Sequence, residues 1–313
     1  MMGPRGFPWG FRERRRLPHR RAVAFGFQQA MKGQQGVLDG VDPDVRIVRR
    51  AAETSQGCGV NGDPAPGHRA GKPLMPKAVV DDRGQRPMRG VRFLMEYEKA
   101  EQALKAWGVR STIVVFGSAR VGVNGDGRHA YWYEQAREFG RIASERGGAF
   151  RGEPGEVRDN VIATGGGPGI MQAANQGAHE AGAPSIGFNV TLPHEQFPNP
   201  WSTPELTFQF HYFAMRKMHL AMRANALVVF PGGFGTLDEL FEILTLRQTD
   251  KAPPIPIVLF DEAYWRSVIN FDTLIEHGMV KASDMDLFAF ADDAETVWSN
   301  LLEGGLKPNC EIK

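Results

Sequence analysis

Residues 231–242, PGGFGTLDELFE, place three glycines and a threonine in a tight turn that runs into a helical pattern. Two acids, Asp238 and Glu239, follow in the first turns of that helix. A glycine turn that opens a helix bares several backbone N–H groups and adds the positive end of the helix dipole, which together favour phosphate. Two more strand ends carry glycine-rich loops, GSAR (117–120) and TGGGPG (164–169). Glycines there could simply permit tight turns, but three such loops on one sheet edge point to a nucleotide or sugar phosphate. Glu239 stands about one helical turn beyond Thr236, near the ribose of a nucleotide whose phosphate the turn would hold. A carboxylate there suits cleavage of a glycosidic bond through an oxocarbenium-like transition state. It could equally complement the helix N-terminus, an effect of about 0.3–1 kcal/mol that Asp238 would supply as well. The local pattern leaves both readings open.

Two commoner phosphate motifs fit poorly. TGGGPGI lacks the third glycine of a dinucleotide fingerprint in register, and the strand that follows ends in GFNV, offering Asn189 where a ribose-binding acid is expected. No GxxxxGK[ST] occurs. A mononucleotide is the better candidate.

The elements that would carry these loops alternate. STIVVFG (111–117), VIATGGG (161–167), PSIGFNV (184–190), ALVVF (226–230) and PIPIVLF (254–260) read as buried strands. Between them lie the helical patterns YWYEQAREFGRIASERGG (131–148), PGIMQAANQGAHEAG (168–182), FGTLDELFEILTLRQ (234–248) and DEAYWRSVINFDTLIEHG (261–278). This alternation predicts an α/β fold, a doubly wound, Rossmann-like parallel sheet with helices on both faces. Ligands in such folds sit outside the carboxyl ends of the strands, where all three glycine loops fall.

The chain has 313 residues with 37 Lys and Arg against 36 Asp and Glu, but the balance is uneven. Residues 1–90 hold 17 basic and 8 acidic residues, leaving 20 and 28 for residues 91–313. The first segment is rich in Gly, Pro and Arg and lacks helical or strand periodicity. It reads as a largely disordered extension, or as a start placed too far upstream with Met75 or Met88 nearer the true one. Its FRERRRLPHRR run could instead be a nucleic-acid arm, a reading ranked last because the remainder is acidic. Residues 91–313 are expected to form the nucleotide-binding domain. Two cysteines, Cys58 and Cys310, exclude a disulfide scaffold and fit a reducing cytoplasm. No run approaches the ~20 apolar residues of a membrane span, and the N-terminus lacks the apolar core of a signal peptide. A cytoplasmic protein is the expectation.

MRKMHLAMRANALVVFPGGFGTLDELFE resembles the Lonely guy (LOG) family of nucleoside 5′-monophosphate phosphoribohydrolases, marked by an Arg-Lys pair followed by PGGxGTxxE. Here the pair is Arg216-Lys217, and Glu239 follows Arg216 by 23 residues. FGSAR, TGGGPGIM and LPHEQ are similar to segments of the family's longer members, and the resemblance runs from about residue 91 to 300. It implies that Arg216 and Glu239 are catalytic and that Gly232, Gly233, Gly235 and Thr236 cradle the phosphate. It implies further that Lys217, Glu195 and Thr245 line the nucleotide site, with Gly117, Ser118, Gly166 and Gly167 on the neighbouring loops. The helix after TGGGPG departs from the family's usual MEAANRGA, reading MQAANQGA with Gln172 and Gln176.

The activity so implied is hydrolysis of AMP or a cytokinin riboside 5′-monophosphate to free base and ribose 5-phosphate, without metal or cofactor, in a homo-oligomer. A non-catalytic carrier of a nucleotide or of molybdenum cofactor is the alternative on the same fold. The lysine decarboxylase label often attached to relatives finds no support, because no lysine has a recognisable pyridoxal-phosphate setting. Trp201 and the aromatics of FQFHYF (208–213) could stack on a purine or belong to the core.

Overall fold

The computed structural model describes residues 72–73, 89–150, 156–191 and 197–308. Along the chain run β1 (Lys72–Pro73), α1 (Arg89–Ala106), β2 (Thr112–Phe116), α2 (Arg128–Gly147), β3 (Val161–Thr164), α3 (Ile170–Glu180) and β4 (Ser185–Val190). Then follow β5 (Thr207–Phe210), α4 (Phe213–Met222), β6 (Ala224–Val229), α5 (Phe234–Gln248), β7 (Ile257–Phe260), α6 (Glu262–Val268), α7 (Phe271–Glu276), β8 (Ala289–Ala291) and α8 (Ala294–Glu303). Among the described residues no helix is long and apolar enough to cross a membrane.

Every strand pairing is parallel. Seven strands in the order β5-β4-β3-β2-β6-β7-β8 make the sheet, and the two-residue β1 extends its β5 edge. The α/β, doubly wound architecture is therefore as the alternating pattern predicts. From β2 the chain steps outward through β3, β4 and β5, then returns to the other side of β2 as β6. Between β2 and β6 the winding reverses, and their carboxyl ends carry the GSAR loop and the PGGFGT turn. That reversal is where an open α/β sheet leaves a crevice for ligand.

Side chains of successive strand residues leave opposite faces, so each strand feeds two cores. Val114 and Phe116 of β2 join Leu227 and Val229 of β6 beneath α1, α4, α5, α6 and α7. Ile113 and Val115 join Ala226 and Val228 beneath α2, α3 and α8. The stretches 113–116 of β2 and 226–229 of β6 are apolar without interruption because both faces are covered.

The structure adds elements that the sequence reading did not assign, among them α4, β8 and α8. The helical pattern of 261–278 is two helices, broken at Asn270, whose side chain accepts from the Thr273 N–H and so caps the second. FQFHYF contributes β5, with Phe208 and Phe210 in the core. The segment before residue 111 contains α1, which the sequence reading did not assign.

Helices α2 and α3 cross at two glycines. A Cβ at Gly177 would overlap the carbonyl oxygen of Arg137, and one at Gly140 would overlap that of Ala174. Alanine at an open helical glycine typically gains up to ~1 kcal/mol, but here the helices must separate, at a cost of about 1–3 kcal/mol. Gly177→Ala should therefore lower Tm by roughly 2–12 °C in calorimetry, at about 2–4 °C per kcal/mol for a domain of this size. An unchanged or raised Tm would contradict the close crossing.

Candidate active site

Helix α5 buries Thr236, Glu239, Leu240 and Ile243, the i, i+3, i+4, i+7 stripe of an amphipathic helix. One member of that stripe is a carboxylate. The Glu239 side chain is 5% exposed, whereas that of Asp238 is 58% exposed. A neutral apolar residue would serve packing better, and a buried charge is costly unless paired and hydrogen-bonded. Its partner is Arg216 of α4, whose Nη2 donates to Glu239 Oε1 at 2.6 Å. The two acids that the local pattern could not separate thus occupy different environments.

Arg216 is itself held from several sides. Its guanidinium lies 5.3 Å from the Phe213 ring centroid, a cation–π distance. A Cβ on Gly165 would come within 3.5 Å of its Nη1, so the glycine loop after β3 runs against it. Lys217, the next residue, donates to Asp238 at 2.8 Å and to Glu242 at 2.9 Å. Helix α1 fixes α4 at both ends. Glu96 accepts from the N–H groups of His211 and Tyr212 at 2.9 and 3.3 Å, just ahead of α4, and Glu101 pairs with Arg223 at its end at 2.7 Å.

The glycine loops meet as the sequence order implies. Ser118 donates its N–H to the Pro231 carbonyl at 3.0 Å, while its own carbonyl accepts from Ile170 at 3.1 Å. One residue therefore ties the loop after β2 to the PGGFGT turn and to the start of α3. Gly117 lies against Ile170 with no room for a Cβ. Gly166, at φ +71°, accepts from the Asn199 N–H at 2.8 Å, and Gly167 accepts from the Asn199 side chain at 3.1 Å. Thr236 is buried against Gly232, whereas a Cβ on Gly233 or Gly235 would meet nothing within 4 Å. The α5 N-terminus has no side-chain cap, so its outer side is open backbone.

Other sequence-predicted residues are not brought to this cluster. Thr245 is exposed, and its hydroxyl donates to the Phe241 carbonyl of its own helix at 2.7 Å. Glu195 and its LPHEQ segment lie outside the described residues. Trp201 packs on His179, and the Phe213 ring of FQFHYF lies against the Arg216 guanidinium. Gln176 accepts from the Tyr133 hydroxyl at 3.0 Å and donates to Glu180 at 2.9 Å, which ties α3 to α2. Sequence reasoning missed Glu242, Asn199 and Glu96. Glu242 had a signal, since it lies within one turn of both acids on α5 and so can share their lysine.

A cavity of about 10 Å³ beside Glu239 and Lys217 is no larger than one water. A larger one, about 430 Å³, lies elsewhere, between Arg128, Tyr131, Asp261, Glu262 and Asp292. Arg216 and Glu239 are not among its walls. Among the described residues no cluster of three or more His, Cys, Asp or Glu could hold a metal.

With this geometry in place, the chain can be set beside known proteins. A family described as "Possible lysine decarboxylase" matches residues 171–301. A probable cytokinin riboside 5′-monophosphate phosphoribohydrolase of rice, LOG4 of Oryza sativa subsp. japonica, is 27% identical over 147 residues, 46% of this chain and 63% of the rice protein. Its counterpart LOG3 of Arabidopsis thaliana is 27% identical over 150 residues, 46% of this chain and 67% of its own length. The chain is a distant homologue of the LOG, lysine decarboxylase-like, proteins. The molybdenum cofactor binding protein of Rippkaea orientalis superposes with a TM-score of 0.41 at 16% identity, covering 62% of this chain and 96% of that one.

The decarboxylase label meets a physical objection at Lys217. A lysine that forms a Schiff base needs a depressed pKa. Burial lowers that of Lys217, but hydrogen bonds to Asp238 and Glu242 outweigh it and hold the ammonium above its usual value.

For Glu239 the balance runs the other way. Burial raises its pKa, and the lowering by Arg216 and Lys217 does not offset it. A raised carboxylate pKa favours the protonated form in the folded state. The stability it contributes is present at low pH and lost as pH rises through the raised value. NMR titration of labelled glutamate should therefore place Glu239 above the ordinary 4.5, and Lys217→Met should move it further up. A midpoint at or below 4.5 would show that the ion pair outweighs desolvation.

Proposed function

We propose that the protein hydrolyses the N-glycosidic bond of a nucleoside 5′-monophosphate, releasing free base and ribose 5-phosphate. The observation that carries this reading is a carboxylate in the middle of a buried helix stripe, fixed by an arginine and set beside an uncapped glycine turn. Packing alone gives no reason for Glu239, and a site that only carried a nucleotide would gain nothing from it. Arg216 and Glu239 also occupy the Arg-Lys and PGGxGTxxE positions by which the chain resembles the phosphoribohydrolases.

In this mechanism the 5′-phosphate sits on the outward N–H groups of Gly233 to Gly235, with the Ser118 loop beside it. Binding energy from the phosphate then orients the reacting sugar, so remote anchoring lowers the barrier. As the C1′–N bond breaks, its electron pair leaves with the base and positive charge grows on the sugar. Glu239 stabilises that charge across a short distance in a water-poor setting. It also takes the proton of the water whose oxygen bonds to C1′, a role helped by a pKa raised towards neutrality. Arg216 fixes the carboxylate by a charge-assisted hydrogen bond, worth roughly 1.5–3 kcal/mol. The relatives named for cytokinin riboside monophosphates support an adenine-type base. We assign Lys217 to holding α4 against α5 through Asp238 and Glu242.

The test is a product assay for free base and ribose 5-phosphate with AMP, GMP, CMP, UMP, isopentenyl-AMP and adenosine. AMP or its prenylated form should be split, with adenosine poorer by at least about 10²-fold in kcat/KM, since anchoring by the phosphate is used in the transition state. Equal turnover of adenosine would remove the phosphate cradle. Tight AMP binding without any product would favour the carrier.

A further inference from the structure

The turn that opens α5 can hold an anion only if its N–H groups face outward and its carbonyls do not. In a trans peptide the C=O of one residue and the N–H of the next point in opposite directions. Whatever fixes the Gly232 carbonyl therefore aims the Gly233 N–H. Glycine on both sides of that peptide leaves the plane free to rotate unless something holds it.

Tyr264 holds it. Its hydroxyl donates to the Gly232 carbonyl at 2.9 Å, while a Cβ on Gly233 would meet nothing within 4 Å. On the preceding peptide the Ser118 N–H does the same for the Pro231 carbonyl. The Tyr264 ring is placed without help from its hydroxyl. It packs edge-on against Trp132 and Trp265, with centroids 5.6 and 5.3 Å away. Its backbone N–H donates at 2.9 Å to Asp261, the N-cap of α6. Asp261 is buried, and its other carboxylate oxygen accepts from Trp132 Nε1 at 2.8 Å. Trp132, Asp261 and Tyr264 thus form a rigid mount on α2 and α6, outside the Arg216–Glu239 cluster. Burial keeps the phenol protonated, and so a donor.

We infer that Tyr264 is a positioning residue for anion binding, which clamps the Gly232 carbonyl inward and so presents the Gly233 N–H to the phosphate. The inference rests on the phosphate-binding reading of the PGGFGT turn. It adds a residue outside the motif, on α6. Without the hydroxyl the Gly232–Gly233 peptide can flip, turning a carbonyl oxygen towards the anion. The loss is confined to ligands that carry phosphate.

Tyr264→Phe keeps the ring and its packing and removes the donor. Calorimetric titration with ribose 5-phosphate and inorganic phosphate should show affinity weakened about tenfold, the cost of one hydrogen bond and a misdirected peptide. The Tm should stay within about 3 °C of the wild type, as expected for under ~1 kcal/mol of stability. The Gly233 amide resonance should move on adding phosphate to the wild type and much less in the variant. Unchanged phosphate affinity in the variant would overturn the clamp. So would equal weakening of adenosine and ribose 5-phosphate, or a wild-type protein that binds no phosphate. These readouts need no turnover. A wild type that binds ribose 5-phosphate but splits no nucleotide would defeat the hydrolase reading and leave the clamp standing.

Discussion

A carboxylate buried in an apolar helix face is the constraint around which this structure is arranged. Removing Glu239 from water is expensive, and breaking such a pair by deleting one partner typically costs about 3–5 kcal/mol. The fold therefore has to deliver a cation to within hydrogen-bonding distance and keep it there. Helix α4 does so with Arg216, and α1 holds α4 in place through Glu96 at one end and Glu101 at the other. Phe213 and the Gly165 backbone confine the guanidinium from two further sides. Replacing the pair with apolar residues would give a simpler core. That this chain keeps the costly arrangement is the physical argument for chemistry at Glu239.

The sheet explains why the pair lies beside an open glycine turn. The winding reverses between β2 and β6, so the loops leaving those two strands diverge to opposite faces and uncover the edge between them. Ser118 bridges the gap by one backbone hydrogen bond to Pro231. The PGGFGT turn stays open outward, with Gly233 and Gly235 free of neighbours, and closed inward, with Gly232 packed on Thr236. Helix α5 then carries the chain from that turn to Glu239 in one turn of rigid backbone. The separation between anchor and carboxylate is set by helix geometry rather than by side-chain flexibility.

Much of this was readable from local pattern. The glycine loops, their strands and the doubly wound order follow from apolar β-branched runs ending in glycine. Arg216 and Glu239 came from a motif with fixed spacing, and the structure places the two side chains in contact. Burial decided between Asp238 and Glu239, and burial depends on which helix face meets the core, which the LDEL stretch alone does not reveal. Helix α1 escaped notice because its buried positions include Arg92, Glu96 and Glu101, charged residues that erase the apolar period. The break at Asn270 was hidden inside a continuous helical pattern, since a residue that caps one helix is also tolerated within another. Asn199 and Tyr264 serve the glycine loops from distant segments, and no spacing rule connects them to the motif.

The account stands or falls on whether the Glu239 charge is needed for bond cleavage rather than for binding. Glu239→Gln preserves shape and can still accept from Arg216, so it isolates the charge. Single-turnover kinetics with AMP, beside an AMP dissociation constant for the same protein, measures both at once. The account predicts a rate lowered by roughly 10²–10⁴-fold with affinity nearly unchanged, because the bound ribose is neutral until the transition state. A variant that cleaves AMP at close to the wild-type rate would contradict it.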